Sequence, residues 1–285
     1  MPPAARIPPV TRVALVGVTG RMGSSILRAA PGFPQLLITA AIAHQGSLAL
    51  GRDAGEAAGV GPTNLRVTSD LPHSLEEADV AIDFSHAAAT VETLGACRAA
   101  GKPLLLGTTG YGTEVEARLA ETAREIPLLV TANTSVGVAV LTALTRRAAR
   151  ALPRTFDVDV LDLHHRLKLD APSGTALALG RAAAEARGLS LPAKDLPRSG
   201  PATPSGPPSG PRPEGEIGFA VVRAGDRVGE HTVLFSGIGE ELALTHRATD
   251  RAIFARGALA AALWLATQPP GRYDMADFLG LKTET

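Results

Sequence analysis

Two adjacent histidines, His164 and His165, are followed by Arg166 and Lys168 and then by a Pro-Ser-Gly-Thr turn at residues 172–175. Imidazole rings, an ammonium group and a helix start bring positive charge and backbone N–H donors to one place. That is a site for a dianion. The lead-in DVDVLDL (157–163) alternates apolar and polar residues as a half-buried strand does. His164 and Lys168 are four apart, which puts them on one side of either a strand or a helix; His165 points elsewhere if the strand continues. Pro172 suits a first helical turn, ALALGRAAAEAR (176–187) is an alanine-rich helix, and Gly188 suits its end. The first turn of a helix leaves N–H groups without internal partners, so Ser173, Gly174 and Thr175 form a seat for a carboxylate or phosphate. A single histidine here reads as a surface or hydrogen-bonded residue. HHxxK joined to DAPSGT is far more specific than its parts.

The elements that position this stretch begin at TRVALVGVTGRMG (11–23). Val13 to Val16 read as a buried strand, and Gly17, Gly20 and Gly23 lead into the helical run SSILRAA. In a dinucleotide site such glycines permit a tight turn, close approach of a pyrophosphate, and packing of helix on strand. The second strand, LLITAAIA (36–43), ends at His44 without the carboxylate that would bind an adenosine ribose. His44 or nearby Arg52 could meet a 2′-phosphate instead, a lean towards NADPH or dual use of NADPH and NADH. Further strands follow at 78–85, 103–110 and 127–137, with helices at 87–101 and 114–126 between them. Their ends carry DFS, GTTG and TANTS, on the sheet edge where doubly wound folds bind ligands. Gly107, Thr108, Thr109 and Asn133 border the nicotinamide half of that site, and Asp83 reads as a turn cap.

The expected fold is α/β: a Rossmann-type, doubly wound parallel-sheet domain plus a second, mixed α/β domain. Residues 1–134 and 250–285 form the dinucleotide-binding part and 135–249 the other. Within the latter, a helix starts near Val138. The Pro/Gly/Ser-rich stretch 197–216 reads as a mobile loop, a lid or a solvent-exposed segment, with Arg198 near its start. Residues 217–250 read as three strands of an antiparallel β-meander. An apolar-faced helix (251–268) and the closing segment YDMADFLGL (273–281) return to the first domain.

Lys plus Arg equals Asp plus Glu at 28 each, so no global field favours nucleic acid or an anionic membrane. No apolar run is long enough to span a bilayer, and the start lacks the apolar core of a signal peptide. The lone Cys97 excludes an intramolecular disulfide and fits a reducing cytoplasm. No metal is expected, because the adjacent histidines lack carboxylate or thiolate partners at ligand spacing.

In order along the chain, GVTGRMG, DFS, GTTGY, TANTSVGV, DLHHRLKLDAPSGTA, IGFAVVRAGDRVGEHTV and the C-terminal ALWL helix resemble the 4-hydroxy-tetrahydrodipicolinate (dihydrodipicolinate) reductases of bacterial lysine and diaminopimelate biosynthesis. The likeness covers nearly the whole chain. It implies that the mixed α/β domain is the substrate and oligomerisation domain of a homotetramer, which takes a small dicarboxylate ring substrate and NADPH and/or NADH. It further implies that His164 donates a proton, that Lys168 is catalytic through its charge, and that His165 binds substrate. Gly174 and Thr175 match the groups that hold a substrate carboxylate. On the cofactor side it implies the loop Gly17, Val18, Thr19, Gly20, Arg21 and Met22, the turn Gly107 to Thr109, and the strand end Thr131, Ala132, Asn133 and Thr134. The implied reaction removes water from the hydroxylated ring and delivers a hydride, giving tetrahydrodipicolinate. Three positions depart from the pattern: Asp162 stands where Glu is usual, Thr134 where a bulkier apolar residue is common, and Ala43 where many members carry an acid. The rival readings are another Rossmann oxidoreductase and a non-catalytic NADPH-binding regulator.

Overall fold

The computed structural model describes residues 10–191 and 215–282. Residues 197–214 of the Pro-rich stretch, Arg198 among them, lie outside the described residues. Contacts divide the chain into two units, 1–136 with 252–285, and 137–251.

In the first unit β1 (Thr11–Val16), β2 (Leu36–Ile42), β3 (Val67–Thr68), β4 (Val80–Asp83), β5 (Leu104–Leu106), β6 (Pro127–Val130) and β11 (Gly271–Tyr273) form one sheet in the order β11-β6-β5-β4-β1-β2-β3. Every pairing is parallel. This is the Rossmann order with one added edge strand. Central strands of a sheet covered on both faces read as unbroken apolar runs, and β4 and β5 are buried throughout. The helices are α1 (Arg21–Ala29), α2 (Ala54–Ala57), α3 (Leu71–Glu76), α4 (Thr90–Ala99), α5 (Thr113–Thr122), α8 (Ala252–Leu265) and α9 (Met275–Phe278). Small residues let α8 lie close: Ala255, Ala258, Ala261 and Ala262 are fully buried, and a Cβ at Gly257 would overlap the Thr134 carbonyl.

The second unit holds most of α6 (Val136–Ala151), with β7 (Asp157–His164), α7 (Gly174–Ala186), β8 (Ile217–Arg223), β9 (Gly229–Gly237) and β10 (Glu240–Ala248). The expected meander is corrected here. The sheet order is β10-β9-β7-β8, with β7 parallel to β8 and antiparallel to β9. Strands β8 and β9, consecutive in the chain, therefore flank β7 instead of pairing. Val158 and Val160 from β7, Phe219 from β8, Val233 and Phe235 from β9, and Leu179 and Ala183 from α7 form the core of this unit. Each such large apolar side chain contributes roughly 1.5–3 kcal/mol on burial, enough to hold a strand that hydrogen-bonds both neighbours.

That topology has a consequence at the end of β7. The β8–β9 connection passes over it, and the Arg227 and Gly225 carbonyls accept the His165 and Arg166 N–H groups at 2.9 and 3.1 Å. The strand stops there because its backbone partners are taken by a turn.

Candidate active site

One cleft lies in the first unit, with a volume of about 860 Å³, at the ends of β1, β2, β4 and β5. That is the size range of cofactor pockets. Of the residues read from the sequence, Gly17, Thr19, Gly20, Arg21, Met22, His44, Gly107, Thr108 and Thr109 line it. Gly17 sits at φ +81°, and a Cβ there would stand 2.8 Å from the Phe84 carbonyl oxygen. A Cβ at Gly23 would overlap the Gly17–Val18 backbone, so α1 begins tight against the turn. Val18 is buried instead, its N–H donated to the Ile42 carbonyl at 3.1 Å. Arg52 is not among the lining residues. His44 Nδ1 accepts the Gly46 N–H at 3.2 Å, which leaves a neutral ring protonated on Nε2.

Thr131, Ala132, Asn133 and Thr134 are not among the residues lining the cleft. Thr131 and Asn133 close a turn on each other, and the buried Thr134 hydroxyl donates to the Phe254 carbonyl at 2.6 Å. The cleft also takes in Ser69, Ser85, His86 and Glu92, which sequence reading missed; the first three lie on connections between elements and Glu92 in the first turn of α4, without a spacing signature. Asp83 is fully buried, and its Oδ1 accepts the Ser85 N–H at 2.7 Å, as a turn cap does. Burial pushes its carboxyl above the ordinary value.

The second unit gathers the charged cluster at the end of β7. The expectation of a shared face for His164 and Lys168 does not hold: β7 ends at His164, and Lys168 sits in a turn, its N–H bonded to the His165 carbonyl at 3.1 Å. Lys168 Nζ pairs with Asp170 at 2.7 Å. Pro172 precedes the helix cap rather than opening the first turn, and its peptide bond to Ala171 is cis.

Asp162, fully buried, is the hub. Its carboxylate accepts the Ser173 N–H at 2.7 Å, the Ser173 hydroxyl at 2.8 Å and the Arg223 guanidinium at 2.9 Å. His164 Nδ1 lies 2.9 Å from Asp162 Oδ1, a close contact off the hydrogen-bond axis, and His231 Nε2 lies 3.3 Å from the same oxygen. Burial alone would raise the Asp162 carboxyl; contacts from His164, His231, Arg223 and the Ser173 N–H outweigh it and hold the group far below the usual carboxylate range.

Ser173 is thereby committed. Its N–H and hydroxyl serve Asp162, and its oxygen caps α7 by accepting the Ala176 N–H at 3.1 Å. Of the three residues read as an anion seat at the helix start, Ser173 is thus already engaged within the protein. A Cβ at Gly174 would meet open space, so the protein itself does not fill that position. His165 Nε2 lies 3.1 Å from Arg251. Arginine only donates, so that nitrogen is the acceptor. Partial burial, and then the charge of Arg251, lower the His165 ring below its ordinary value.

The metal argument from adjacency is also corrected, since Asp162, His164 and His231 place ligand atoms within 4.8 Å of one another. Arg223 holds the carboxylate's other oxygen, Oδ2, at 2.9 Å, and the Ser173 hydroxyl already donates to the Oδ1 that both histidines approach, at 2.8 Å. Arg223, His231 and Arg251 were not singled out in the sequence. Arg223 and His231 stand in IGFAVVRAGDRVGEHTV, and only pairing across the sheet brings them to Asp162.

A parallel sheet in Rossmann order, a glycine turn opening on a cofactor-sized cleft, and a separate unit bearing a histidine–lysine cluster define a nicotinamide-dependent oxidoreductase. Its residues 11–134 match the family described as dihydrodipicolinate reductase, N-terminus, and residues 137–279 match dihydrodipicolinate reductase, C-terminus. The chain belongs to the dihydrodipicolinate reductase family. It is 46% identical over 273 residues to the 4-hydroxy-tetrahydrodipicolinate reductase of Anaeromyxobacter dehalogenans, covering 96% of this chain and 99% of that one. It is 45% identical over 272 residues to the enzyme of that name from Rhizobium meliloti, covering 95% and 97%. The fold also matches a dipicolinate-bound dihydrodipicolinate reductase from Paenisporosarcina sp. TG-14, with a TM-score of 0.72, 23% identity and coverage of 94% and 98%.

Proposed function

We propose that this chain is a 4-hydroxy-tetrahydrodipicolinate reductase, which removes water from its ring substrate and reduces the product to tetrahydrodipicolinate. The observation that carries the reading is the continuous match of both family halves along the chain, together with the cluster of His164, His165 and Lys168 beside an open helix start. When bound, NADPH or NADH supplies the hydride. The glycine turn from Gly17 to Met22 and the turn from Gly107 to Thr109 hold it, with His44 at the adenosine end.

The substrate carries two carboxylates. Lys168, the Gly174 N–H and the Thr175 backbone and hydroxyl bind one of them, and His165 orients the ring as a neutral donor. Charge-assisted hydrogen bonds of this kind contribute roughly 1.5–3 kcal/mol each. Lys168 exchanges Asp170 for substrate, so its charge is held in place before binding. Hydride arrival raises electron density on the ring, and His164 relieves it by donating a proton.

Dipicolinate, a planar dicarboxylate of the same shape, tests the binding half of this reading. It should raise the thermal midpoint and compete with substrate. No protection at millimolar dipicolinate with NADPH present would contradict the site.

A further inference from the structure

The inference rests on the reductase reading and deepens it at His164. Hydrogen positions in the cluster follow from what each group can donate. Ionised Asp162 only accepts, so the His164 Nδ1 beside its Oδ1 carries a hydrogen. Ser173 has one hydroxyl hydrogen and directs it to Asp162 Oδ1, so His231 Nε2, 3.1 Å from the Ser173 oxygen, must be the donor there. His164 and His231 meet edge to face with ring centroids 5.1 Å apart, so His231 braces the ring as well as the carboxylate.

With Nδ1 turned to Asp162, Nε2 is the nitrogen left to exchange a proton. A Cβ at residue 229 would stand 2.9 Å from it. Gly229 does not have a left-handed φ, so its backbone does not require glycine; the missing side chain keeps the space beside Nε2 clear. The charged groups near His164 are paired. Arg223 from β8 offsets Asp162, Lys168 pairs with Asp170, Glu230 on β9 is held by Arg227 and Arg247, and His246 on β10 stands opposite His231.

We propose that Asp162 and His231 are positioning residues that fix His164 with Nδ1 towards Asp162, and that Gly229 keeps the proton-donating Nε2 open. Removing the carboxylate that faces Nδ1 changes the pH profile of turnover as well as its size.

The test is turnover against pH with NADPH and enzymatically generated substrate, on the full chain and on Asp162→Asn, His231→Ala, His231→Gln and Gly229→Ala. NADPH binding and dipicolinate protection report folding of each. Asp162→Asn should move the high-pH limb of kcat down, with KM within about twofold. His231→Ala should lower kcat about tenfold, and His231→Gln, which keeps a donor, should recover most of it. Gly229→Ala should lower kcat about tenfold or more with the limb unmoved. An unmoved limb in an Asp162→Asn protein that binds both probes overturns the proposal. Should that variant fail to bind them, full kcat in both His231→Ala and Gly229→Ala overturns it. Absence of turnover in the unaltered protein would strike the reductase reading instead.

Discussion

On the proposed reading, His164 supplies the proton of the reaction and Lys168 the charge that holds the substrate. General acid catalysis contributes about 10²–10⁴-fold, so His164→Ala should lower kcat by that order with substrate affinity little changed. Lys168→Ala should act mainly on KM, because its ammonium binds. Steady-state kinetics separate the two. At the cofactor end, His44 is the candidate donor, through its Nε2–H, to a 2′-phosphate; His44→Ala should raise the KM for NADPH more than that for NADH. The HHxxK and DAPSGT residues were legible because they are contiguous. Arg223 and His231 were not, because β8 and β9 carry them to Asp162 from about 60 and 70 residues away in the chain, a distance no spacing rule bridges. Ser173 was legible as a helix start, but its donors turned out to face inward to the buried Asp162.

The start of α7 ties the helix to β7 through Ser173. Ser173→Ala removes the cap and a donor to Asp162, and should cost about 0.5–2 kcal/mol for the cap alone, read by denaturant titration. The same link gives stability a pH dependence. Asp162 has its pKa lowered in the folded chain, so its contribution is present above the unfolded carboxyl value, about pH 4, and is lost as pH falls towards the folded value. Thermal midpoints should decline on acidification below about pH 4, and the decline should be shallower in Asp162→Asn. The parallel strands and their helices were readable from apolar runs punctuated by glycine. The order of the second sheet was not, because β8 and β9 look like a hairpin locally and only the parallel pairing of β7 with β8 separates them. Residues 131–134 read as a ligand-facing strand end, whereas Thr134 is held by α8, which arrives 120 residues later.

The chain as a whole joins a dinucleotide-binding unit, closed by its own C-terminal helix and edge strand, to a unit that carries the charged cluster. Among the described residues no helix is long and apolar enough to cross a membrane. The resemblance also implies four copies, and Val222, Ile238 and Leu242 are exposed apolar side chains on or beside the second sheet. Light scattering should give four times the 29.3 kDa chain mass; a monomer at micromolar concentration would contradict that expectation. The central claim is tested most directly by nicotinamide oxidation, with substrate made in place from pyruvate and aspartate semialdehyde by a synthase. Rapid oxidation of NADPH or NADH is predicted, lost in a His164→Ala protein that still binds the dinucleotide and, at subsaturating substrate, in the corresponding Lys168→Ala protein. Dinucleotide binding without turnover in the unaltered protein would contradict it.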